Sequence, residues 1–228
     1  MRLLAVLAVV SASLTAQRGG TAPDRLPATA VAQLITSLEV SRAHRQHVWR
    51  DTPPMNADGS VNAYIEIPRG DRRKWEFDMR QNARAIDRMM PETVGGYPVN
   101  YGFVPQTVSY DGDPFDVLVL GPALPGGTLV IGRIVGLMQM EDEKGLDSKV
   151  VLSPVDASSR NSEQLTPSEE RRIGDYFKRY KAHEPGKFSK VPGWGTKEDG
   201  LSFVNTTHTF FRTCRRDATR PCTIAPPR

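Results

Sequence analysis

Apolar runs between residues 61 and 120 predict short β-strands. Ala63–Pro68 is a short apolar run that ends at a proline, which is typical of a strand end. Lys74–Asp78 alternates charged and aromatic side chains, a period of two that indicates a half-buried strand. Phe115–Leu120 is almost continuously apolar, with Asp116 embedded in it. These patterns predict a sheet that carries one carboxylate within a buried strand.

Two further apolar runs predict a hairpin. Thr128–Met140 is a long strand pattern, and Lys149–Val155 is the pattern of a returning strand. The polar segment Glu141–Leu146 between them contains a glycine, as a tight turn requires. The hairpin would therefore carry acidic side chains at its tip.

Helical patterns are fewer. Thr166 begins a T-x-x-E capping box with proline at the first helical position, and an apolar face follows at helical spacing. That face consists of Ile173, Tyr176, Phe177 and Tyr180. A second amphipathic helix is predicted around residues 31–38, with His44 and His47 after it as surface residues. Many short strands with few helices predict an α+β, mainly β chain built on a small β-barrel with external helices.

The first 16 residues have the pattern of a secretory signal peptide. Met1–Arg2 supplies positive charge, and an apolar run with small residues follows up to Ala16 before the chain turns polar. The run is short for a transmembrane span. We therefore expect export to the periplasm or outside, with no membrane insertion after cleavage. An uncleaved anchor and an ordinary buried helix are the alternatives.

Composition adds little to this picture. The 228 residues are 39% hydrophobic and 25% charged, as in an ordinary globular protein. The net charge of +4 is scattered rather than clustered, which favours no nucleic-acid partner and suits an anionic small substrate. Cys214 and Cys222 would form a disulfide in an oxidising compartment, or remain two thiols in the cytosol.

The acidic residues suggest the chemistry. Asp111, Asp113 and Asp116 fall within six residues, and a second acidic group surrounds Asp142 and Asp147. A charge inside an apolar strand is costly unless a cation neutralises it, and oxygen ligands select Mg²⁺, Mn²⁺ or Ca²⁺ over zinc. Convergence of the first three acids needs a bend near residue 114. A simple polar turn is the alternative to a metal site, whereas an EF-hand fails because its sixth position is not glycine.

Basic and phenolic side chains flank these acids, and such groups neutralise and hydrogen-bond phosphate. They are Lys74, Arg88, Lys149, Lys181, Lys187, Tyr97, Tyr101 and Tyr180. The sequence contains neither a P-loop nor a GxSxG elbow. A metal-activated water is therefore favoured over a nucleophilic side chain.

The order of these motifs resembles the family I soluble inorganic pyrophosphatases from about Val61 to Trp194. The segments that carry the resemblance are Ile65–Pro68, Lys74–Asp78, Ile86–Met89, Tyr97–Thr107, Asp111–Val117, Met140–Glu143, Asp147–Lys149, Tyr180–Lys181 and Gly186–Lys187. The D-G-D-P-x-D-V segment is the most specific of them. The resemblance implies an OB-like five-stranded β-barrel core with flanking α-helices.

The resemblance also implies roles for single residues. Metal binding is implied for Asp111, Asp113, Asp116, Asp142, Asp147 and, through water, Glu66. Asp113 would also help to deprotonate the attacking water. Phosphate contacts are implied for Lys74, Arg88, Tyr101, Tyr180 and Lys181, of which Lys74, Arg88 and Tyr101 act with Asp113 in catalysis. Supporting positions are Glu76, Tyr97, Glu143, Lys149 and Lys187.

The expected function is Mg²⁺-dependent hydrolysis of pyrophosphate by a metal-activated water, without a covalent intermediate; several ions would bind, and Mn²⁺ is an alternative. Rival hypotheses are an exported phosphohydrolase for nucleotides or polyphosphate, and a non-catalytic secreted module that binds divalent cations. Residues 17–60 and 195–228 have no counterpart in the resemblance and are interpreted as N- and C-terminal extensions of a domain at 61–194. The C-terminal extension could cap the barrel, pack on a neighbour or block contacts within a homo-oligomer.

Overall fold

The computed structural model describes residues 46–79, 81–155 and 164–216. The strands are β1 Val61–Ile67, β2 Arg73–Asp78, β3 Ala83–Met89, β4 Asn100–Phe103, β5 Asp116–Val119, β6 Leu129–Asp142, β7 Gly145–Leu146, β8 Lys149–Pro154 and β9 Ser189–Gly195. The helices are α1 Val48–Asp51, α2 Pro167–Arg179 and α3 Lys197–Arg216.

Five strands close into a ring, as predicted. β1 pairs antiparallel with β4 and with β6, and β4 pairs antiparallel with β5. β5 then runs parallel to β8, and β8 returns antiparallel to β6. Every residue of β1 is buried because one face points into the barrel and the other is covered. β2 and β3 form a separate hairpin, while β9 extends the sheet along β6.

Helix α2 begins as the sequence predicts. The Thr166 hydroxyl accepts the N–H of Glu169, and the Glu169 carboxylate accepts the N–H of Thr166 at 2.9 Å. Its apolar face is buried against Tyr97 and Tyr101, with ring centroids of Tyr97 and Tyr176 5.2 Å apart. This helix therefore holds an aromatic wall against β4.

Helix α3 lies in the segment that the sequence analysis left without a counterpart. Thr196 and Asp199 cap its start by reciprocal hydrogen bonds. Val204 packs with the residues of the barrel interior, and Phe211 and Cys214 pack with Trp49. The C-terminal segment thus covers the barrel. Cys222 lies outside the described residues, so its disulfide with Cys214 stays a prediction.

The N-terminal segment corrects one expectation. His47, predicted to lie on the surface, is fully buried, with its ring 6.0 Å from that of Phe77. Its Nε2–H donates to the Met79 carbonyl at 2.7 Å, and its Nδ1 accepts the Arg50 N–H as the cap of α1. The prediction was wrong because Phe77 and Met79, which belong to the β2–β3 hairpin and are distant in sequence, cover the ring in the fold.

The signal peptide, the helix around residues 31–38 and His44 lie outside the described residues. Among the helices of the described ranges, none combines the length and apolar character needed to cross a bilayer.

Candidate active site

A cavity of about 200 Å³ opens where β5 and β8 begin and β6 ends. Its lining contains every predicted site residue except Lys149 and the cysteines: Glu66, Lys74, Glu76, Arg88, Tyr97, Tyr101, Asp111, Asp113, Asp116, Asp142, Glu143, Asp147, Tyr180, Lys181 and Lys187. Lys149 is 1% exposed and forms ion pairs with two of these acids from beneath. The fold therefore brings the whole predicted set together.

A second depression, of about 500 Å³, runs along α3. It is lined by residues of that helix alone, and Glu198 is its single ionisable side chain. It lacks the opposed acids and cations of the first cavity, so we place the chemistry in the smaller one.

The Asp111–Asp113 turn explains how these acids reach the cavity. Ser109 N–H donates to the Asp113 carbonyl at 2.6 Å, and Gly112 N–H donates to the Ser109 carbonyl at 3.1 Å. Gly112 has φ +94°, a conformation that glycine adopts without steric cost. The expected bend is therefore present, but it lies at Gly112 rather than at Pro114.

Asp116 and Asp147 share one buried cation. Lys149 Nζ donates to Asp116 Oδ2 and to Asp147 Oδ1, the latter at 2.9 Å. Although burial of Lys149 opposes its charge, the two carboxylates raise its pKa. Burial raises the pKa of Asp147 to about 8, and repulsion from Asp116 adds to this despite the lysine. A single lysine thus neutralises this acid pair only in part.

Lys181 likewise neutralises two acids, here at the tip of the β6–β7 hairpin. Its Nζ donates to Asp142 Oδ2 and to both carboxylate oxygens of Glu143, at 3.0 and 3.1 Å. Lys181 and Asp142 are both buried. This ion pair fixes the end of α2 against the hairpin.

Asp111 and Asp113 are held differently. Within the described part of the chain, no lysine or arginine forms an ion pair with either carboxylate, although Asp111 accepts the Asp113 N–H at 3.1 Å. Asp113 lies at the exposed rim, yet the protein around the cavity displaces water from its carboxylate and Asp111 repels it, raising its pKa to about 7. The pKa of Asp111 is raised by burial and by Asp116. A bound cation would relieve both effects.

Glu66 lies deeper. Its carboxylate accepts the N–H of Phe77 at 2.8 Å, which joins β1 to the β2–β3 hairpin. Burial, then repulsion by Glu76 and Asp116, raises its pKa well above the ordinary range. Glu66 therefore holds the hairpin in place while presenting an acid to the cavity.

Cations form the opposite rim. Lys74 pairs with Glu76, and Arg88 donates to Asp87 at 2.6 Å and to Glu184 at 2.7 Å. Lys187 pairs with Glu184 at 2.6 Å. The Nε of Arg88 is buried and has no hydrogen-bond partner in the described part of the chain. The rim therefore retains at least one N–H donor, that of Arg88 Nε, which could bind an anion.

The phenols remain protonated donors. Burial raises the pKa of Tyr97, Tyr101 and Tyr180 well above the ordinary value. Tyr101 lies under Lys149, whose Nζ is 5.6 Å from the ring centroid. Neutral tyrosines donate hydrogen bonds to phosphate oxygens without adding negative charge.

The donor chemistry of the cavity fits a hard divalent cation, since all the acids offer oxygen. Across residues 46–79, 81–155 and 164–216, however, no three metal-binding side chains converge on one point. Lys149 and Lys181 attract the carboxylates of Asp116, Asp147 and Asp142 instead. The carboxylates of these three acids would have to exchange their lysine contacts for contacts to the ion. The residues that would hold the ion are Glu66, Asp111, Asp113, Asp116, Asp142 and Asp147.

Two residues that line or support the cavity escaped the sequence analysis. Lys144 lines the cavity from the β6–β7 turn, and Glu184 joins Arg88 to Lys187. Lys144 is the one basic residue of the acidic segment Glu141–Leu146, and its position there gave no indication that its side chain lines the cavity. Glu184 carried no sequence signal, because its two partners are set by the fold.

An acidic cavity at the end of a small closed barrel, with a rim of cations and phenols, has the chemistry of a site for a small polyanion and divalent cations. The sequence model of the inorganic pyrophosphatase family matches residues 63–212. The chain belongs to this family. The match reaches into α3, beyond residue 194, where the sequence analysis ends the domain.

Individual relatives agree with the family match. The chain is 37% identical over 160 residues to an inorganic pyrophosphatase of Sulfolobus acidocaldarius, covering 67% of this chain and 92% of that protein. It is 40% identical over 149 residues to one of Rickettsia prowazekii, covering 61% and 86%. The crystal structure of inorganic pyrophosphatase from Thermus thermophilus superposes with a TM-score of 0.67 at 35% identity, over 72% of this chain and 99% of that one.

Proposed function

We propose that this protein hydrolyses inorganic pyrophosphate to two phosphates with Mg²⁺ as its cofactor. The observation that carries the proposal is one cavity in which eight acids face five cations and three phenols. Its volume of about 200 Å³ lies below the roughly 300–1,000 Å³ of pockets for drug-sized ligands. That size favours a small phosphoanhydride over a nucleotide.

The cation, when bound, supplies charge neutralisation and a water of lowered pKa. Asp113 accepts the proton of the attacking water. The water oxygen forms a bond to one phosphorus as the bridging P–O bond breaks. Lys74, Arg88 and Lys181 neutralise the charge that develops on the leaving phosphate, and the tyrosines donate hydrogen bonds to it.

The test is phosphate release from pyrophosphate, ATP and tripolyphosphate with Mg²⁺ and with EDTA. We expect Mg²⁺-dependent turnover that is highest with pyrophosphate. Asp113→Asn should lower kcat about 10²- to 10⁴-fold, the usual contribution of a positioned base. Asp175→Asn on the exposed face of α2 is the matched control and should keep full activity. Absence of pyrophosphate turnover in the wild type would refute the proposal, and an active Asp113→Asn would refute the role of Asp113.

We also propose that the protein is exported. The support is the N-terminal sequence pattern and the pair of cysteines, of which Cys214 is buried. N-terminal sequencing of the mature protein should begin after the apolar run. A soluble cytosolic protein that retains Met1 would contradict export.

A further inference from the structure

Arg84 lies on the exposed strand β3 and is one of its two partly buried residues, with Arg88 as the other. Arg88 lines the cavity, whereas the guanidinium of Arg84 contacts β1 instead. Its Nη1–H donates to the backbone carbonyl of Glu66 at 2.5 Å. The guanidinium carbon also lies 4.2 Å from the ring centroid of Trp75 on β2, a cation–π contact. One arginine thus links both strands of the β2–β3 hairpin to the barrel.

The loop before β6 leaves room for this guanidinium at Gly126. A Cβ atom added at Gly126 would lie 2.0 Å from Arg84 Nη1, so a side chain there would displace the guanidinium. The N–H of the next residue, Gly127, donates to the Ile65 carbonyl at 2.7 Å, which fixes the loop on β1. The guanidinium is therefore held between the hairpin and a loop that is itself anchored on β1.

Glu66 receives two hydrogen bonds from the hairpin. Its carbonyl accepts the Arg84 guanidinium, and its carboxylate accepts the Phe77 N–H at 2.8 Å. Within the described residues, β2 and β3 pair only with each other, as a sheet separate from the barrel. The same hairpin carries Lys74 and Arg88, which form the cationic rim of the cavity. The position of this rim relative to the acids therefore depends on how the hairpin is attached to β1.

We propose that Arg84 is a positioning residue, which sets the distance between the cationic rim and the acids by docking the hairpin on β1. The inference rests on the proposed function and adds a residue that touches neither substrate nor metal. Lys74 and Arg88 would neutralise pyrophosphate already in the bound ground state. A misplaced rim should therefore weaken substrate binding more than it slows turnover of the bound complex.

The experiment compares steady-state hydrolysis of pyrophosphate by the wild type and by Arg84→Met, which keeps an aliphatic stem and removes the guanidinium. Arg84→Met should raise KM about ten- to thirtyfold and change kcat less than about threefold, since a displacement of about 1 Å can cost up to about 10²-fold. An arginine with only a structural role would lower the denaturation midpoint and leave KM unchanged. That result would overturn the proposal.

Arg73→Met is the matched control. Arg73 also lies over the Trp75 ring, at 5.4 Å, but it is exposed and pairs with Asp71 rather than with β1. Its KM should stay within about twofold of the wild type, as is usual for an exposed ion pair. An equal rise of KM in Arg73→Met and Arg84→Met would assign the effect to the Trp75 contact and overturn the docking role.

Gly126→Ala moves the guanidinium without changing the arginine, and it also serves if Arg84→Met does not fold. The added methyl group should push the flexible guanidinium away from the Glu66 carbonyl and raise KM as Arg84→Met does. In the double variant the second change should add less than about twofold, because the guanidinium is already gone. Effects on KM that multiply in the double variant would show two independent causes and contradict the proposal.

Binding of methylenediphosphonate, a pyrophosphate analogue whose bridge cannot be hydrolysed, separates this inference from the proposed function. Titration calorimetry with Mg²⁺ should show that Arg84→Met binds the analogue more weakly than the wild type, by the factor that KM rises. A wild type that binds it with this dependence on Arg84 and yet releases no phosphate from pyrophosphate would contradict the proposed function alone. Equal affinities in the two proteins would overturn the role of Arg84.

Discussion

The acids of the cavity fall into two groups that the chain treats differently. The paired acids, Asp116, Asp142 and Asp147, each contact a buried lysine. The turn acids, Asp111 and Asp113, lie on a glycine turn without an ion pair to any described lysine or arginine. Both groups line one cavity of about 200 Å³.

The two groups of acids therefore affect the stability of the metal-free protein in opposite ways. A buried acid with a lysine partner contributes to the fold even without metal, since removing either partner leaves an uncompensated charge. An unpaired acid with a raised pKa destabilises the metal-free fold and is relieved only by a ligand. We therefore expect the turn acids, together with Asp147, whose pKa is also raised despite its lysine, to carry most of the link between metal binding and stability.

The largest effect should come from breaking the buried pairs. Lys149→Met leaves Asp116 and Asp147 without their shared cation and should lower the free energy of unfolding by about 3–5 kcal/mol. Urea denaturation in EDTA measures this loss. Thr166→Ala is the control away from the acids: it removes a helix cap, should cost about 1 kcal/mol and should respond to Mg²⁺ like the wild type. A loss below about 1 kcal/mol in Lys149→Met would show that these acids do not depend on the lysine.

A pH series should give an intermediate effect. The pKa values of Asp113 and Asp147 rise from 3.8 to about 7 and about 8 on folding. Between these limits the folded chain holds protons that the unfolded chain has released, so the stability of the EDTA-treated protein should fall as pH rises from about 5 to about 8. The slope should stay below about 1.4 kcal/mol per pH unit for each group, with Asp147 contributing more because it is less exposed.

Mg²⁺ should reverse this trend, because a bound cation favours the ionised carboxylates. Denaturation midpoints measured with EDTA and with Mg²⁺ at each pH provide the check. Parallel curves in the two series would contradict the link between these acids and the metal. Below about pH 4 the stability should instead fall as the pH falls. Acids with lowered pKa values, such as Asp51 and Glu184, then become protonated and lose their ion pairs.

The smallest effect should come from removing one turn acid. Asp111→Asn relieves repulsion in the metal-free protein and should raise its stability by a few tenths to about 1 kcal/mol, the usual size of interactions near the surface. The same variant should need more Mg²⁺ for turnover. Thermal unfolding in EDTA, with Asp175→Asn as the surface control, distinguishes stabilisation from no effect. A destabilised Asp111→Asn would place it with the paired acids.

Sequence reasoning predicted the elements whose patterns are local. The strands around Ile65, Trp75 and Val117, the β6–β8 hairpin and the capped helix α2 are present near their predicted positions. The residues of the cavity also followed, since the motifs that resemble the family occur in order along the chain.

What the sequence analysis missed depends on pairing in space. The partner choices of Lys149 and Lys181, and the burial of His47, arise from contacts between distant segments. Helix α3 did have a local signal, because Val204, Thr207, Phe211 and Cys214 recur at helical spacing and are all buried. Its polar residues and the lack of a family resemblance obscured that face.

The parallel contact between β5 and β8 has a consequence for how the molecule folds. Within the described residues it is the single parallel pair of the ring, and Asp116 and Lys149 meet at its start although they are 33 positions apart. Parallel pairing over such a separation forms slowly, after the local β6–β8 hairpin. A refolding chain should therefore regain most of its secondary structure before it regains turnover, because closing the ring and assembling the acid cavity are one late event.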